Sequence, residues 1–428
     1  MFKNRLIETL VSNKRHINSS FFLFFINLLN FVFPLLISPR IIQKCGLEGF
    51  GIVILFQSIA IFVSSITEYG FNINATRDVT LNQDHPDFIN KHFFTVTYCK
   101  TILLGIAILL SILIYFFFPK ANDYSFIYFT SLFILIGRTF NPLWVLRSLH
   151  KLKYIFYFFI FFKIISLLVI YLFLESGANL YLVNLTIGSM DLLTCIFSIL
   201  VLMNRMKWKY YKPDFKAIKK EIVTGFGIFV QVISINANAY LNPMILGLFV
   251  NEYALGIYCV VEKVILVVRF CGSFIIQSLF PKACEMAGKN HQDYKVFARK
   301  LFVFLVISML IAAMLLVVFS NLIVSYFVKM NIAECSAFLV YNSLIPFVVA
   351  FNMVPYLTFM VYSKQKAVTK IIILSVFINV ILNTILSKQF GIFGISAGIY
   401  ITELFVSISL WAVLIFKFPN LNFLKNEK

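Results

Sequence analysis

The chain has 428 residues, of which 61% are hydrophobic and 13% charged, and its 37 Lys and Arg against 18 Asp and Glu give a formal net charge of +19. A soluble protein carries roughly 25% charged residues, and the apolar residues here come in runs long enough to cross a bilayer, which excludes a soluble globular domain. The basic residues lie mostly in short segments between those runs, so they read as an orientation signal beside anionic lipid and not as a nucleic-acid footprint.

Seven cysteines occur singly, at 45, 99, 195, 259, 271, 284 and 335. None has C-x-x-C or metal-ligand spacing, so neither a zinc site nor a disulfide frame is expected. The N-terminus lacks a small-residue cleavage site before the first apolar run, and residues 1–18 read as a cytoplasmic amphipathic segment ahead of an uncleaved helix.

Taken in order, the apolar runs predict spans at 19–38, 49–70, 92–117, 124–147, 154–174, 180–204, 222–249, 253–280, 297–327, 336–362, 367–387 and 391–417. The fold class is therefore an all-α polytopic membrane protein with 12 transmembrane helices. Lys and Arg concentrate on one set of alternating loops, leaving Arg40, Lys44, Lys120, Lys329 and Lys388 on the other side. That asymmetry predicts both termini in the cytoplasm. The basic segment 205–221 divides the chain into an N-lobe, 19–204, and a C-lobe, 222–417, followed by a cytoplasmic tail, 418–428.

The halves echo one another. Gly49-Phe50-Gly51-Ile52 matches Ala254-Leu255-Gly256-Ile257, and the same offset carries Gln57, Ser64 and Glu68 onto Glu262, Arg269 and Ser273. A second offset carries Asn184, Asp191 and Cys195 onto Ser396, Glu403 and Ser407. Two six-helix repeats of one orientation are expected, related by an axis along the membrane normal.

Several charges fall inside the predicted spans: Lys100, Arg138, Lys163, Lys263 and Arg269, with Glu68, Asp191, Glu262 and Glu403. A charge at mid-bilayer costs about 2.5–3.5 kcal/mol even on the lenient insertion scale, so these groups must be paired or hydrated. Lys100 is shallow enough to snorkel, and Glu68 lies near a helix end. The 222–249 helix adds a stripe of Gln231, Ser234, Asn238 and Asn242, and later helices add Asn352, Tyr356, Ser375, Asn379 and Asn383. Amides of this kind knit helices together, whereas an inward set of Arg and Lys suits an anionic head group. No G-x-S-x-G, H-E-x-x-H or P-loop occurs. The five histidines lie in or beside predicted cytoplasmic segments and are expected to be solvated. Catalytic residues, metal ligands and cofactors are not expected, and the short external loops leave no platform for an enzyme.

P-R-I-I-Q-K-C-G-L-E-G-F-G with E-Y-G-F-N-I-N-A-T-R-D at 39–78, N-P-M-I-L-G-L-F-V-N-E-Y-A-L-G-I-Y-C-V-V-E-K-V at 242–264 and G-I-F-G-I-S-A-G-I-Y-I-T-E at 391–403 resemble the Wzx-type O-antigen and polysaccharide flippases of the multidrug/oligosaccharidyl-lipid/polysaccharide exporter superfamily. The resemblance implies two lobes around a cavity. It also implies alternating access driven by an ion gradient, and an undecaprenyl-pyrophosphate-linked oligosaccharide moved to the outer leaflet of the bacterial inner membrane. It carries cargo or coupling roles onto Arg40, Arg77 and Glu403. Given that cargo, Arg138, Lys163, Lys263 and Arg269 would offset its pyrophosphate, and Gln231 and Asn238 would line its path. Glu68, Asp191, Glu262 and Glu403 would couple ions or gate. The partners so implied are membrane lipids, a polysaccharide polymerase and a chain-length regulator, around a monomeric transport unit with no nucleic acid. The rival readings are a MATE-like drug or cation antiporter, the usually fourteen-helix lipid II flippase branch, and a membrane-embedded polysaccharide polymerase.

Overall fold

The computed structural model describes residues 2–175 and 177–424, with side chains from residue 21 onward. The described residues form helices and short connections with no strand. In hydrocarbon a spanning segment must satisfy its own backbone hydrogen bonds, and a helix does so within one segment. Nine helical stretches among these residues are long and apolar enough to cross a membrane. The two longest, Phe21–Leu81 and Gln365–Lys417, each cover two of the predicted spans.

The chain divides into two compact units, Met1–Cys45 with Val53–Asn236, and Gly46–Ile52 with Ala237–Lys428. In the first unit, α1 (Phe2–Glu68) runs through two predicted spans and breaks at Gly46, where φ is 71°. That left-handed backbone is the conformation glycine adopts without a Cβ penalty. Then follow α2 (Phe71–Leu81), α3 (Pro86–Phe117), α4 (Pro119–Asp123), α5 (Ser125–Thr139), α6 (Leu143–Ser148), α7 (Leu152–Phe173) and α8 (Tyr181–Met206). Pro86 stands in the first turn of α3, where its missing N–H costs nothing, and α3 therefore starts six residues ahead of the predicted span at 92. The predicted span 124–147 is two helices, because the chain turns through Phe140-Asn141-Pro142.

Two features hold this unit together. Phe71, Phe93, Trp144 and Trp208 belong to one buried cluster with Ile89, Val96 and Leu146. Elsewhere α5 and α8 approach backbone to backbone. A Cβ on Gly188 would sit 2.5 Å from the nitrogen of Ile134 and the carbonyl carbon of Phe133, and one on Gly137 would sit 3.1 Å from the carbonyl oxygen of Gly188. Small residues at such a crossing let helices pack where lipid supplies no hydrophobic drive.

α9 (Phe215–Gly247) begins in the first unit and ends in the second. The second unit continues with α10 (Glu252–Lys289), α11 (His291–Val318), α12 (Ser320–Phe327), α13 (Ile332–Asn342), α14 (Ile345–Val361) and α15 (Gln365–Ala412), which ends in a π-turn at Val413–Lys417. α15 holds the last two predicted spans and breaks at Gly391. The short segment Gly46–Ile52 packs on α10 so closely that a Cβ on Gly256 would lie 2.1 Å from the carbonyl oxygen of Leu47, and one on Gly51 would lie 2.6 Å from that of Glu252. The two glycines matched in the repeat thus lie at one helix crossing. Outward faces carry exposed Leu109, Phe116, Phe161, Leu168, Leu315 and Phe377, the surface expected against lipid tails.

Candidate functional site

The two intramembrane acids of the first unit are each paired with a cation. Glu68, at the C-terminal end of α1, accepts from Arg138 of α5, Nη2 to Oε1 at 3.2 Å, and the Arg138 Nε donates to Ser64 Oγ at 3.1 Å. One turn further, Thr139 donates to Thr67 at 2.9 Å. Gln57 donates to Asn184 of α8 at 2.9 Å. The predicted Gln57/Ser64/Glu68 stripe is therefore one face that meets α8 at one end and α5 at the other. Lys163 of α7 pairs with Asp191 of α8 at 2.8 Å, and its Nζ also lies 4.6 Å from the Phe33 ring centroid and 5.4 Å from that of Phe159, within the range of a cation–π contact. Lys100 does not snorkel outward; it is buried, within electrostatic range of Glu68.

In the second unit Glu403 of α15 uses both carboxylate oxygens. Arg269 of α10 donates from Nη2 to Oε1 at 2.7 Å, and Asn352 of α14 donates to Oε2 at 3.2 Å. Glu262 is not part of this set. It accepts from the Tyr258 hydroxyl, one turn back on α10, at 2.9 Å, while Lys263 sits over the Phe50 ring at 5.7 Å. The amide stripes meet as well. Asn238 donates to Ser375 at 3.1 Å, and Asn383 donates to Asn242 at 2.8 Å. The Asn238 Oδ1 and Asn383 Oδ1 atoms remain buried without a partner.

The other predicted site residues lie outside these sets. Arg40 donates from Nη2 to the carbonyl oxygens of Tyr171, at 2.5 Å, and Leu174, at 3.4 Å, and so closes the C-terminal end of α7. That is a favourable place for a cation, since carbonyls there lack helical donors. Arg77 is exposed on α2, and Gln231 is half-buried on α9. Asn236, absent from the predicted stripe, donates to Ser65 Oγ at 2.8 Å. His92 is buried in α3 and not solvated. His291 contacts the Tyr362 hydroxyl and the Asn420 carbonyl oxygen, each at 2.5 Å.

Chemically, the Arg138 and Arg269 side chains retain 34% and 32% of their exposure while holding a carboxylate. A planar guanidinium has five N–H donors, more than one carboxylate takes up, and it is a group suited to bidentate binding of phosphate or carboxylate.

Residues 17–287 match the polysaccharide biosynthesis protein family. The chain is 19% identical over 271 residues to a protein of Escherichia coli K12 named "Putative O-antigen transporter", covering 63% of this chain and 65% of that protein. It is 22% identical over 288 residues to a protein of the same name from Shigella dysenteriae, covering 66% and 71%. The match thus spans just under two thirds of the length of the Escherichia coli relative. Among solved structures, the lipid II flippase MurJ in an inward closed conformation superposes with a TM-score of 0.70 at 15% identity, over 95% of this chain and 89% of that one. An inward-facing multidrug resistance MATE family transporter of the MOP superfamily gives 0.62 at 12%, over 94% and 96%. With the family match covering more than half its length, the chain belongs to the polysaccharide biosynthesis protein family and has the fold of the multidrug/oligosaccharidyl-lipid/polysaccharide exporters.

Proposed function

We propose that the protein is a flippase for a lipid-linked saccharide, moving an undecaprenyl-pyrophosphate-linked repeat unit from the cytoplasmic to the periplasmic leaflet of a bacterial inner membrane. The observation that carries this reading is the pair of half-exposed guanidinium–carboxylate sets, Arg138–Glu68 and Arg269–Glu403, inside a transporter fold. A diphosphate bearing sugars needs cationic donors that do not demand full dehydration, and a guanidinium already held by one carboxylate meets that need. Removing a charge from water is costly when it is unpaired, so the carboxylate keeps each arginine in place while no cargo is present. Arrival of the diphosphate offers the arginine a second anion and loosens its hold on the acid. That exchange biases one packing of the helices over another, as a transport cycle requires. An ion taken up by Glu68 or Glu403 would weaken its hold on the arginine and favour cargo, its release would return the arginine to the cargo-free state, and the alternation would couple the cycle to a gradient, with Asp191 and Glu262 as further ion sites. Both termini lie in the cytoplasm in this scheme, and a polymerase and chain-length regulator act on the delivered repeat unit.

The test is complementation in cells that lack their own transporter for the repeat unit. The wild-type chain is expected to restore surface polysaccharide, and Arg269→Glu to abolish it at equal membrane abundance. Restored drug efflux without restored polysaccharide would replace this reading with the antiporter one. Normal polysaccharide in both Arg138→Glu and Arg269→Glu would remove the guanidinium sets from the mechanism.

A further inference from the structure

Within the first unit, Asp78 on α2, His92 on α3 and Glu221 on α9 come together away from the charge pairs described above. Each offers one ligand atom, and the three atoms lie within 4.8 Å of one another. His92 is 7% exposed, and its Nε2 is buried without a hydrogen-bond partner. Its Nδ1 faces Glu221 Oε1 across 3.6 Å, longer than a hydrogen bond allows. The gap is near the ~3.4 Å that separates two ligands of a tetrahedral ion with bonds of ~2.1 Å. The imidazole is also held in orientation, stacked on Phe88 with centroids 5.4 Å apart and met edge-on by Trp144 at 6.0 Å.

We infer that Asp78, His92 and Glu221 form a binding site for one divalent transition-metal ion. The donor set decides the class of ion. An imidazole nitrogen with two carboxylates suits Zn2+ and its neighbours in the first transition row, whereas Mg2+ and Ca2+ take oxygen ligands. Two carboxylates balance the charge of a divalent ion, and that balance matters where the site is mostly out of water. Three protein ligands leave a coordination position for water. Side-chain shifts of about 1 Å would bring the outermost ligand atoms from 4.8 Å to the ~3.4 Å spacing of a bound ion. The ion would then tie together α2, α3 and the start of α9, elements that otherwise meet through the apolar cluster to which they contribute Phe71, Phe93 and Ile218.

The experiment uses the untagged full chain in detergent, with its thiols blocked so that the seven cysteines cannot compete. Co2+ is titrated and followed by its visible absorption, and Zn2+ is titrated against a chromophoric chelator. One ion per chain is expected, displaced by Zn2+ and not by excess Mg2+. His92→Ala and Glu221→Gln should each weaken Zn2+ binding by about tenfold or more, and His291→Ala should leave it unchanged. If His92→Ala does not purify as a single species, Asp78→Asn, on the short and partly exposed α2, carries the test with the same expected loss. Absence of a stoichiometric Zn2+ site in the wild-type chain would overturn the inference. So would Zn2+ binding that survives Glu221→Gln and Asp78→Asn unchanged.

Discussion

In the first unit the acid of the central pair, Glu68, stands on the helix that follows Gly46, and its arginine, Arg138, comes from α5. In the second unit the arginine, Arg269, stands on the matched helix α10, and its acid, Glu403, comes from α15. By the offsets of the repeat, Arg269 stands where the first unit has Ser64 and Glu403 where it has Asp191, so each unit ties this helix to a different neighbour through an ion pair of opposite polarity. The surroundings differ as well. In the first unit two acids have two cations of their own, Glu68 with Arg138 and Asp191 with Lys163. In the second, Glu403 serves both Arg269 and Asn352, Glu262 has a tyrosine hydroxyl, and Lys263 lies on an aromatic ring. A duplicated scaffold therefore holds one unit whose two acids each have a cation of their own, with Lys100 buried nearby, and one in which Glu262 bonds a tyrosine hydroxyl and Lys263 lies on an aromatic ring. The second is the better placed to take on a new anion.

The largest effect follows from that contrast. Arg269→Glu sets a second carboxylate beside Glu403, with Glu262 two turns away on the same helix. Transport should fall to background. Stability should drop by less than the roughly 3–5 kcal/mol typical of removing one partner from a fully buried pair, because the Arg269 side chain is 32% exposed. The double variant Arg269→Glu/Glu403→Arg should recover protein level and melting temperature without recovering transport. Recovery of both would show that the pair acts only as a helix tie, and the contrast between units would lose its functional meaning.

Next in size is the packing that supports the first unit's pair. Gly188→Leu places its side chain against the α5 backbone at Phe133 and Ile134, where a Cβ alone would lie at 2.5 Å. Overpacking of this kind costs about 1–3 kcal/mol, and it displaces the helix that carries Arg138. A lower melting temperature and reduced transport are expected together, with Gly188→Ala milder in both. A Gly188→Leu protein that melts like wild type would mean that α5 and α8 do not cross where Gly137 and Gly188 place them.

Much of this architecture is legible in the amino-acid order, for reasons that also mark the limit. Period and length place the spans, and Gly391 places a break, because backbone rules act over a few residues, whereas the predicted span 124–147 passes over the turn at Pro142. The same locality makes Gln57, Ser64 and Glu68 visibly one face while leaving their partners unstated. Nothing near Glu403 announces that it belongs to Arg269 and not to Glu262's neighbourhood. Arg40 read as a cargo residue because it stands in a motif of the resemblance, yet a guanidinium also binds helix-end carbonyls, and it reaches those of Tyr171 and Leu174. Lys100 read as shallow because the start of α3 was set at 92. With the helix beginning at Pro86, Lys100 lies a further turn and a half inside. The Asp78–His92–Glu221 cluster has no short-range spacing at all, since it depends on how three separate helices pack.

A moderate effect is expected at Lys163 and Asp191. If this pair is purely structural, replacing both groups by apolar ones of similar size, Lys163→Met with Asp191→Leu, should change stability by only about 1 kcal/mol and leave transport intact. Lys163→Met alone leaves Asp191 without its cation and should be clearly worse than the double variant, read by thermal melting in detergent. A double variant that is stable and inactive would give the first unit a cargo-facing cation and make the two units more alike than their wiring implies.

The smallest effect distinguishes two neighbouring amides on α9. Asn236 donates to Ser65 in the first unit at 2.8 Å, and Asn238 donates to Ser375 in the second at 3.1 Å. Hydrogen bonds between helices in a membrane are worth about 0.6 kcal/mol on average, so alanine at either position should lower the melting temperature only slightly. Their effects on transport should differ. The Ser65 contact belongs to the unit whose intramembrane acids are already paired, and its loss changes only a tie between helices. Asn238 stands one turn from Asn242, which is bonded to Asn383, and its Oδ1 has no donor of its own. Asn238→Ala removes an unsatisfied acceptor as well as a bond, so its stability cost should be the lower of the two while its transport defect is the larger. Equal transport in Asn236→Ala and Asn238→Ala would place the asymmetry in the Arg269–Glu403–Asn352 set alone and exclude the α9–α15 amides from it.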